Sequence, residues 1–504
     1  MTRPRLHKEN AVTESTTIAL ADGVVVGVAS GGTRCWYSLP YAAPVTPTRR
    51  FRLPQPVERW TGVRDATRPG ATAPQTPAPV IETLDVAVLY GPSIKGDDYL
   101  TLNVFAPEAG ATLPVMVFIH GGSFVAGSKD VPVYDGRGLA REGAVCVVIN
   151  YRLGIEGFLP VPGAPTNLGL RDIIAALAWV RDNIAAFGGD PANVTLFGES
   201  GGACCAGVLM TSPVAQPLFR RAILQSGHAM ISRDPGVMQK VVRRIARRAR
   251  IAPTLEGFLS RSTTDLLAVQ DWVMKPSLFL NLRDRNGRDP GFGMTFFQPV
   301  HGDDILPLET THALSSGAGR SIDLLIGATT DEANAFLAPA NLTSKIKSWQ
   351  ATLALRAGLP RSRAALRAYG MGRAGTSPGE VFQSALTDLA FRWPIRRMAE
   401  MHGRAHVFEF DWPSPALDGR LGAAHAVDVP FVFDTLQVAS GPRNLLGENP
   451  PQALSDSIRA LWVRFARDGH APWPVYTPQT RMVYSLTRQV AQSEAIMPAA
   501  AFLP

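Results

Sequence analysis

Apolar residues follow two rhythms along the chain. Between residues 99 and 225 they form short continuous runs suited to strands buried on both faces: LTLNVFAP, PVMVFI, AVCVVIN (Ala144 to Asn150), Val194 to Phe197, and Arg221 to Gln225. One stretch between these runs, LRDIIAALAWVRDNIAAFGG, instead places Ile173, Ile174, Leu177, Val180 and Ile184 at helical spacing. Buried strands return at IDLLIGA (Ile322 to Ala328) and HVFEF (His406 to Phe410), followed by a helix LSDSIRALWVRFAR and a short strand MVYSL. Strands alternating with crossover helices predict an α/β fold around a large, mostly parallel sheet. Upstream, IALADGVVVGVASGGTRCWYSLPYAAP reads as antiparallel edge strands, and Pro54 to Pro79 as a long ordered loop. The segment from about Asp234 to Pro299 is less regular. Its Trp272, Met274, Phe279, Phe292, Met294, Phe296 and Phe297 read as core, with a pocket lining or lid as the alternative.

At 504 residues the length suggests two or three domains, yet no linker, repeat or low-complexity block divides the chain. The reading is therefore a polar, flexible tail over 1–16 and one α/β domain with sizeable insertions over 17–504. The net charge of +8 is mild at this length. Much of it lies in KVVRRIARRAR (Lys240 to Arg250), where Val241, Val242, Ile245 and Ala249 make an apolar stripe. That pattern predicts an amphipathic helix with a solvated basic face, rather than a nucleic-acid or membrane site. The four cysteines, Cys35, Cys146, Cys204 and Cys205, form neither a C-x-x-C pair nor a disulfide scaffold. With no apolar leader at the N-terminus and no run of transmembrane length, the expectation is a cytoplasmic protein.

Chemistry concentrates after the run Val194 to Phe197. There Gly198-Glu199-Ser200-Gly201-Gly202 is a G-x-S-x-G pattern between a strand and an alanine-rich helix. Glycines on both sides of Ser200 allow a tight turn that exposes the hydroxyl, and the helix start aims N–H groups at whatever binds it. A serine nucleophile needs a base and a group to orient that base. In this arrangement the order is Ser, then acid, then His, each on a loop beyond a strand. TTDEANAF follows the 322–328 strand and offers Asp331 and Glu332. The loop after 406–410 holds one histidine, His425. His402, His406, His470, His301 and His312 lie in the wrong elements or the wrong order. His120-Gly121-Gly122-Ser123-Phe124 follows the strand VMVFI as a glycine-rich loop whose N–H groups would stabilise an oxyanion, completed by the N–H of Gly201.

With LPYAAP, GDDYLTLNVF, FIHGGSF, INYRLGIEGFL, NLGLRD, FGGDPANVTLFGESGG, FRRAILQSG, TTDEANAF, LTDLAFRWP, GAAHAVDVPFVF and WVRFARDG in this order, the chain resembles the type-B carboxylesterases, which include the cholinesterases and bacterial para-nitrobenzyl and carbamate esterases. The resemblance covers most of the sequence and implies the α/β-hydrolase fold. It implies a catalytic triad of Ser200, Glu332 and His425, with Glu332 preferred to Asp331, and an oxyanion hole of Gly122, Ser123 and Gly201. Some positions depart from the family. Tyr99 stands where a bridging Cys is often found, Ser123 replaces a small Gly or Ala, Gly201 replaces a common Ala, and Asp428 replaces a frequent Glu. The implied activity is hydrolysis of small-molecule carboxylic esters through an acyl-enzyme, with no cofactor and no metal. Carbamate, amide or lipid-ester hydrolysis uses the same triad, and a non-catalytic binding protein would lack it. The chain is read as a monomer or homodimer.

Overall fold

The computed structural model describes every residue except 1–13, 79, 92, 111, 276–280, 285, 286, 357 and 504. Among the described residues thirteen strands form one mixed sheet. The N-terminal side supplies β1 (Glu14–Leu20), β2 (Gly23–Ser30), β3 (Thr33–Pro40) and a short β4 (Val63–Asp65). The centre consists of β5 (Thr101–Pro107), β6 (Leu113–Ile119), β7 (Val145–Ile149), β8 (Gly189–Glu199), β9 (Arg221–Gln225), β10 (Asp323–Thr329) and β11 (Ala405–Phe410). β12 (Met482–Ser485) and β13 (Val490–Ser493) close the far edge. The spatial order is β1-β2-β3-β5-β7-β6-β8-β9-β10-β11-β12-β13, with β4 paired to β2. From β7 across to β12 every neighbour is parallel, while both edges are antiparallel.

The central runs are apolar on both sides because both faces of the sheet are covered. Side chains alternate between faces along a strand. In β6, Val115, Val117 and Ile119 enter one core and Met116 and Phe118 the other; β7 splits Val145, Val147 and Ile149 from Cys146 and Val148. The helix Leu168–Asn183 buries Ile173, Ala176, Leu177 and Val180, with Ile174 half-buried, and ends in a tight turn closed by Gly188 at φ 87°. A third, smaller core lies under the helices between residues 333 and 391.

Three expectations are corrected. The tail reading covered residues 1–16, of which 1–13 lie outside the described residues. Glu14, Ser15 and Thr16 instead pair with Ala29, Val28 and Gly27 as the start of β1, a strand joined by backbone hydrogen bonds with little apolar content to reveal it. The proline-rich stretch contains β4, which pairs in parallel with Val24–Val26. The segment after Asp234 is more regular than its composition implies, with helices at Pro235–Ala249, Leu255–Leu259 and Thr263–Met274. Their start signals are local: the Asp234 carboxylate accepts from the Val237 N–H ahead of Pro235, and Ser262 and Asp265 form a capping box. On the first of these helices Val241, Val242 and Ile245 are buried while Arg243, Arg247 and Arg248 face solvent. Arg244 and Arg248 lie 5.0 and 5.1 Å over the Trp272 ring, so part of the basic face covers an aromatic side chain.

Candidate active site

Five adjacent parallel strands, β6, β8, β9, β10 and β11, release their carboxyl ends at one edge of the sheet, where open α/β sheets bind ligands. The loop 120–124 leaves β6, Ser200 follows β8, Ser226 follows β9, Glu332 follows β10, and the segment carrying His425 follows β11. Strand register thus brings distant parts of the sequence to one rim, except that the long segment carrying His425 also needs fastening beyond the end of β11.

At the end of β8 the chain turns sharply, with Ser200 at φ 53°, ψ −123°, a backbone region that costs on the order of 1–3 kcal/mol for a non-glycine residue. The surroundings hold the strain. The Ser200 N–H donates to the Gln225 carbonyl at 2.9 Å, and the Ser200 carbonyl accepts from Cys204 at 2.9 Å. Glycine is required beside it: a Cβ on Gly202 would sit 1.9 Å from the Ile119 carbonyl oxygen, and one on Gly198 2.6 Å from the Gly202 backbone. Helix Gly201–Leu209 begins immediately after the serine.

The loop after β6 is left-handed in three successive residues, Gly122 (φ 106°), Ser123 (φ 54°) and Phe124 (φ 64°). Its turn is closed by the N–H groups of Val125 and Ala126 donating to the Gly122 carbonyl. A Cβ on Gly201 would lie 3.3 Å from the backbone nitrogens of both Ser123 and Phe124. The elbow and the loop amides therefore face each other across a narrow gap. Among the described residues, the N–H groups of Gly122 and Ser123 donate to no acceptor. His120 supports this loop from beneath: its Nδ1 is 2.8 Å from the Gly121 carbonyl, and its ring stacks on Tyr151. Burial lowers its pKa to about 4, so it is a neutral structural residue.

His425 Nδ1 is 2.5 Å from Glu332 Oε2, and the other carboxylate oxygen of Glu332 accepts the Thr329 N–H at 2.9 Å. Asp331 does different work: it accepts the Ala423 N–H at 3.0 Å and so fastens the histidine's segment. Of the two acids left open by position, Glu332 is the one joined to the imidazole. The other ring nitrogen, Nε2, lies 3.1 Å from Glu199 Oε1. Among the described residues no hydrogen bond links it to the Ser200 hydroxyl. The structure thus joins His425 to Glu332 and brings Ser200 to the same rim, while Glu199, the residue before Ser200, lies at the ring's other nitrogen. Burial alone would lower the His425 pKa, but Glu199 and Glu332 outweigh it and raise it to about 9. Burial pushes Glu199 up to about 8, and His425 pulls in the opposite direction. Asp428 is buried behind the histidine, where burial raises it to about 6 although its carboxylate accepts a 2.8 Å hydrogen bond from Gln225.

Phe336 and Phe391 pack their rings against the imidazole at 5.5 and 5.1 Å. Phe391 sits in a π-helical turn, Asp388–Arg392. Neither these rings nor Glu199 were singled out from sequence. For Glu199 a signal existed: an ionisable residue stands between the run Val194 to Phe197 and the serine. Ser200, Gly201, Ser123, Phe336 and Phe391 line a cavity of about 1200 Å³. Of the residues of the 234–299 segment read as core, Met274, Phe292, Met294 and Phe296 also line it, while Phe297 is core, Trp272 lies under the arginines, and Phe279 is outside the described residues. Among the described residues no group of three or more His, Cys, Asp or Glu side chains is arranged to hold a metal ion. No helix among them is long and apolar enough to cross a membrane. All four cysteines are free; Cys35, Cys146 and Cys205 are buried, and the partly exposed Cys204 lines the cavity.

A profile described as "Carboxylesterase family" matches residues 14–501. The sequence is 34% identical over 488 residues to a para-nitrobenzyl esterase of Bacillus subtilis (strain 168), covering 93% of this chain and 94% of the relative. It is 32% identical to a phenmedipham hydrolase of Pseudarthrobacter oxydans, over 90% of this chain and 91% of that one. A solved PNB esterase structure superposes with a TM-score of 0.82 at 31% identity, over 97% of this chain and 99% of that chain. The chain belongs to the carboxylesterase family of α/β-hydrolase fold enzymes and is a carboxylic-ester hydrolase.

Proposed function

We propose that this esterase works by two-step acyl transfer, with Ser200 as nucleophile, His425 as base and acid, and Glu332 orienting the imidazole. The 2.5 Å contact between His425 and Glu332, at the rim where Ser200 lines the cavity from its strained turn, carries this reading. His425 exchanges its contact with Glu199 for the Ser200 hydroxyl and takes its proton as the oxygen attacks the ester carbonyl. Charge on the tetrahedral oxygen is held by the N–H groups of Gly122, Ser123 and Gly201. His425 then gives its proton to the departing alkoxide, which leaves as the alcohol. Water repeats the sequence on the acyl-Ser200 ester and releases the acid. The Glu332 carboxylate favours the imidazolium formed in each half-reaction. The test is hydrolysis of short-chain p-nitrophenyl esters by Ser200→Ala. A folded variant with wild-type turnover contradicts the reading.

Similarity to the phenmedipham hydrolase favours a second substrate class, carbamates, attacked by the same groups. Turnover of an aryl carbamate by the purified protein tests it. We further propose that the chain from Glu14 onward acts as one domain, supported by a single sheet that takes in strands from β1 to β13. The four free cysteines support a reducing, cytoplasmic setting, testable by fractionation.

A further inference from the structure

Much of the cavity wall comes from residues 287–298, which form neither helix nor strand. Such a segment has no ladder to set its path, so its conformation depends on side-chain anchors. The structure holds one anchor of unusual kind. Arg233, whose side chain is 1% exposed, forms an ion pair with Asp289, 4% exposed, at 2.8 Å. The same guanidinium donates to the carbonyls of Thr295 at 2.8 Å and Leu282 at 3.2 Å. The Asp289 carboxylate accepts the N–H groups of Gly291 at 2.9 Å and Gly293 at 3.1 Å. Arg233 is fixed in turn, since its N–H donates to the Pro299 carbonyl at 2.8 Å and it bridges Val300. One pair of charges therefore fastens the wall from Asp289 to Thr295 to the body of the fold.

Two further details show how closely the wall is fitted. A Cβ on Gly291 would lie 2.7 Å from the Gln298 amide nitrogen and 3.1 Å from Arg233 Nη2. The Thr295 hydroxyl shares its proton between the Phe297 carbonyl at 3.0 Å and, in a longer contact that brings the wall against the loop after β6, the Ser123 carbonyl at 3.3 Å. Phe292, Met294 and Phe296 ride on this frame and face the cavity.

We infer that the Arg233–Asp289 pair is a positioning device that determines which ester sizes the cavity accepts, a role that rests on the Ser200 reading of the site. Burying two charges costs about as much as their attraction returns. The effect of the pair is thus geometric: it holds one arrangement of Phe292, Met294 and Phe296. A small ester reaches Ser200 with little use of that surface. An ester bulky on both sides of the carbonyl needs it, so loosening the wall discriminates by size.

The test compares kcat/KM for p-nitrophenyl acetate and for 2-naphthyl decanoate in wild type, Asp289→Asn and Gly291→Ala, with thermal melting as the control for folding. The ratio of bulky to small ester is expected to fall about tenfold in both variants, through a higher KM for the bulky ester. An unchanged ratio in a folded variant, whether both activities persist or both fall together, overturns the proposal. Gly291→Ala keeps the charges, so it decides the matter if Asp289→Asn does not fold. Ser200→Ala run alongside separates the two questions: activity surviving in that variant refutes the nucleophile assignment, whereas the size ratio reports on the wall alone.

Discussion

The rim of the sheet and the wall of residues 287–298 enclose the same cavity, but they are built by different means. At the rim, Ser200, Glu332 and the loop 120–124 follow the ends of parallel strands whose neighbours are fixed by register, such as Ile119 beside Gly198 and Glu199 beside Gln225, and His425 comes on a longer segment fastened by Asp331. The wall has no such register and is held by one buried ion pair and a few carbonyls. The division suits a hydrolase. The chemistry needs positions accurate to a fraction of an ångström, whereas substrate fit can be set by a segment free to differ in sequence and length.

Substitutions at the rim are expected to remove activity on every ester by the same factor. Ser200→Ala should cost on the order of a million-fold in kcat without unfolding the chain, as followed by p-nitrophenyl ester hydrolysis and circular dichroism. Glu332→Gln keeps the shape but loses the charge facing Nδ1, and should lower kcat about 10⁴-fold. Gly122→Ala forces a Cβ to within 2.1 Å of the Ala126 carbonyl oxygen at a φ of 106°. It should displace the oxyanion loop and cost roughly 100- to 1000-fold in kcat. If any of these variants changed the preference between small and bulky esters as strongly as it changed the rate, the separation of rim from wall would fail.

The smallest effect is on pH dependence. In the proposed mechanism His425 must be neutral to accept the Ser200 proton, and its pKa is raised to about 9 by Glu199 and Glu332. The imidazolium therefore persists above neutrality, and kcat/KM should rise from pH 7 towards pH 9 as that proton is lost. Glu199→Gln removes the carboxylate 3.1 Å from Nε2, which lowers the histidine pKa and should shift the rising limb to lower pH by about one unit. A limb that stays in place means that Glu199 does not control the base.

The same contrast explains what could be read from sequence. The rim was legible because its parts are strong local patterns: runs such as VCVVI buried on both faces, G-x-S-x-G at a strand end, and a glycine-rich loop after β6. Chain order then narrowed the acid to Asp331 or Glu332, and the resemblance to the esterases selected Glu332, the carboxylate that contacts His425. The wall was illegible because its anchor joins Arg233 to Asp289, two residues that carry no motif and whose pairing only the tertiary fold reveals. Glu199 fills a variable position of the G-x-S-x-G pattern, which assigns it no role by itself. Its consequence depends on how close a loop more than 200 residues away brings an imidazole.

The most direct test is covalent. The purified protein is treated with a fluorophosphonate, digested and mapped by mass spectrometry, beside His425→Ala treated in the same way. The account predicts one adduct, on Ser200, formed rapidly in wild type and nearly abolished in His425→Ala. An adduct on another residue, or labelling of Ser200 at an equal rate without the imidazole, would contradict it.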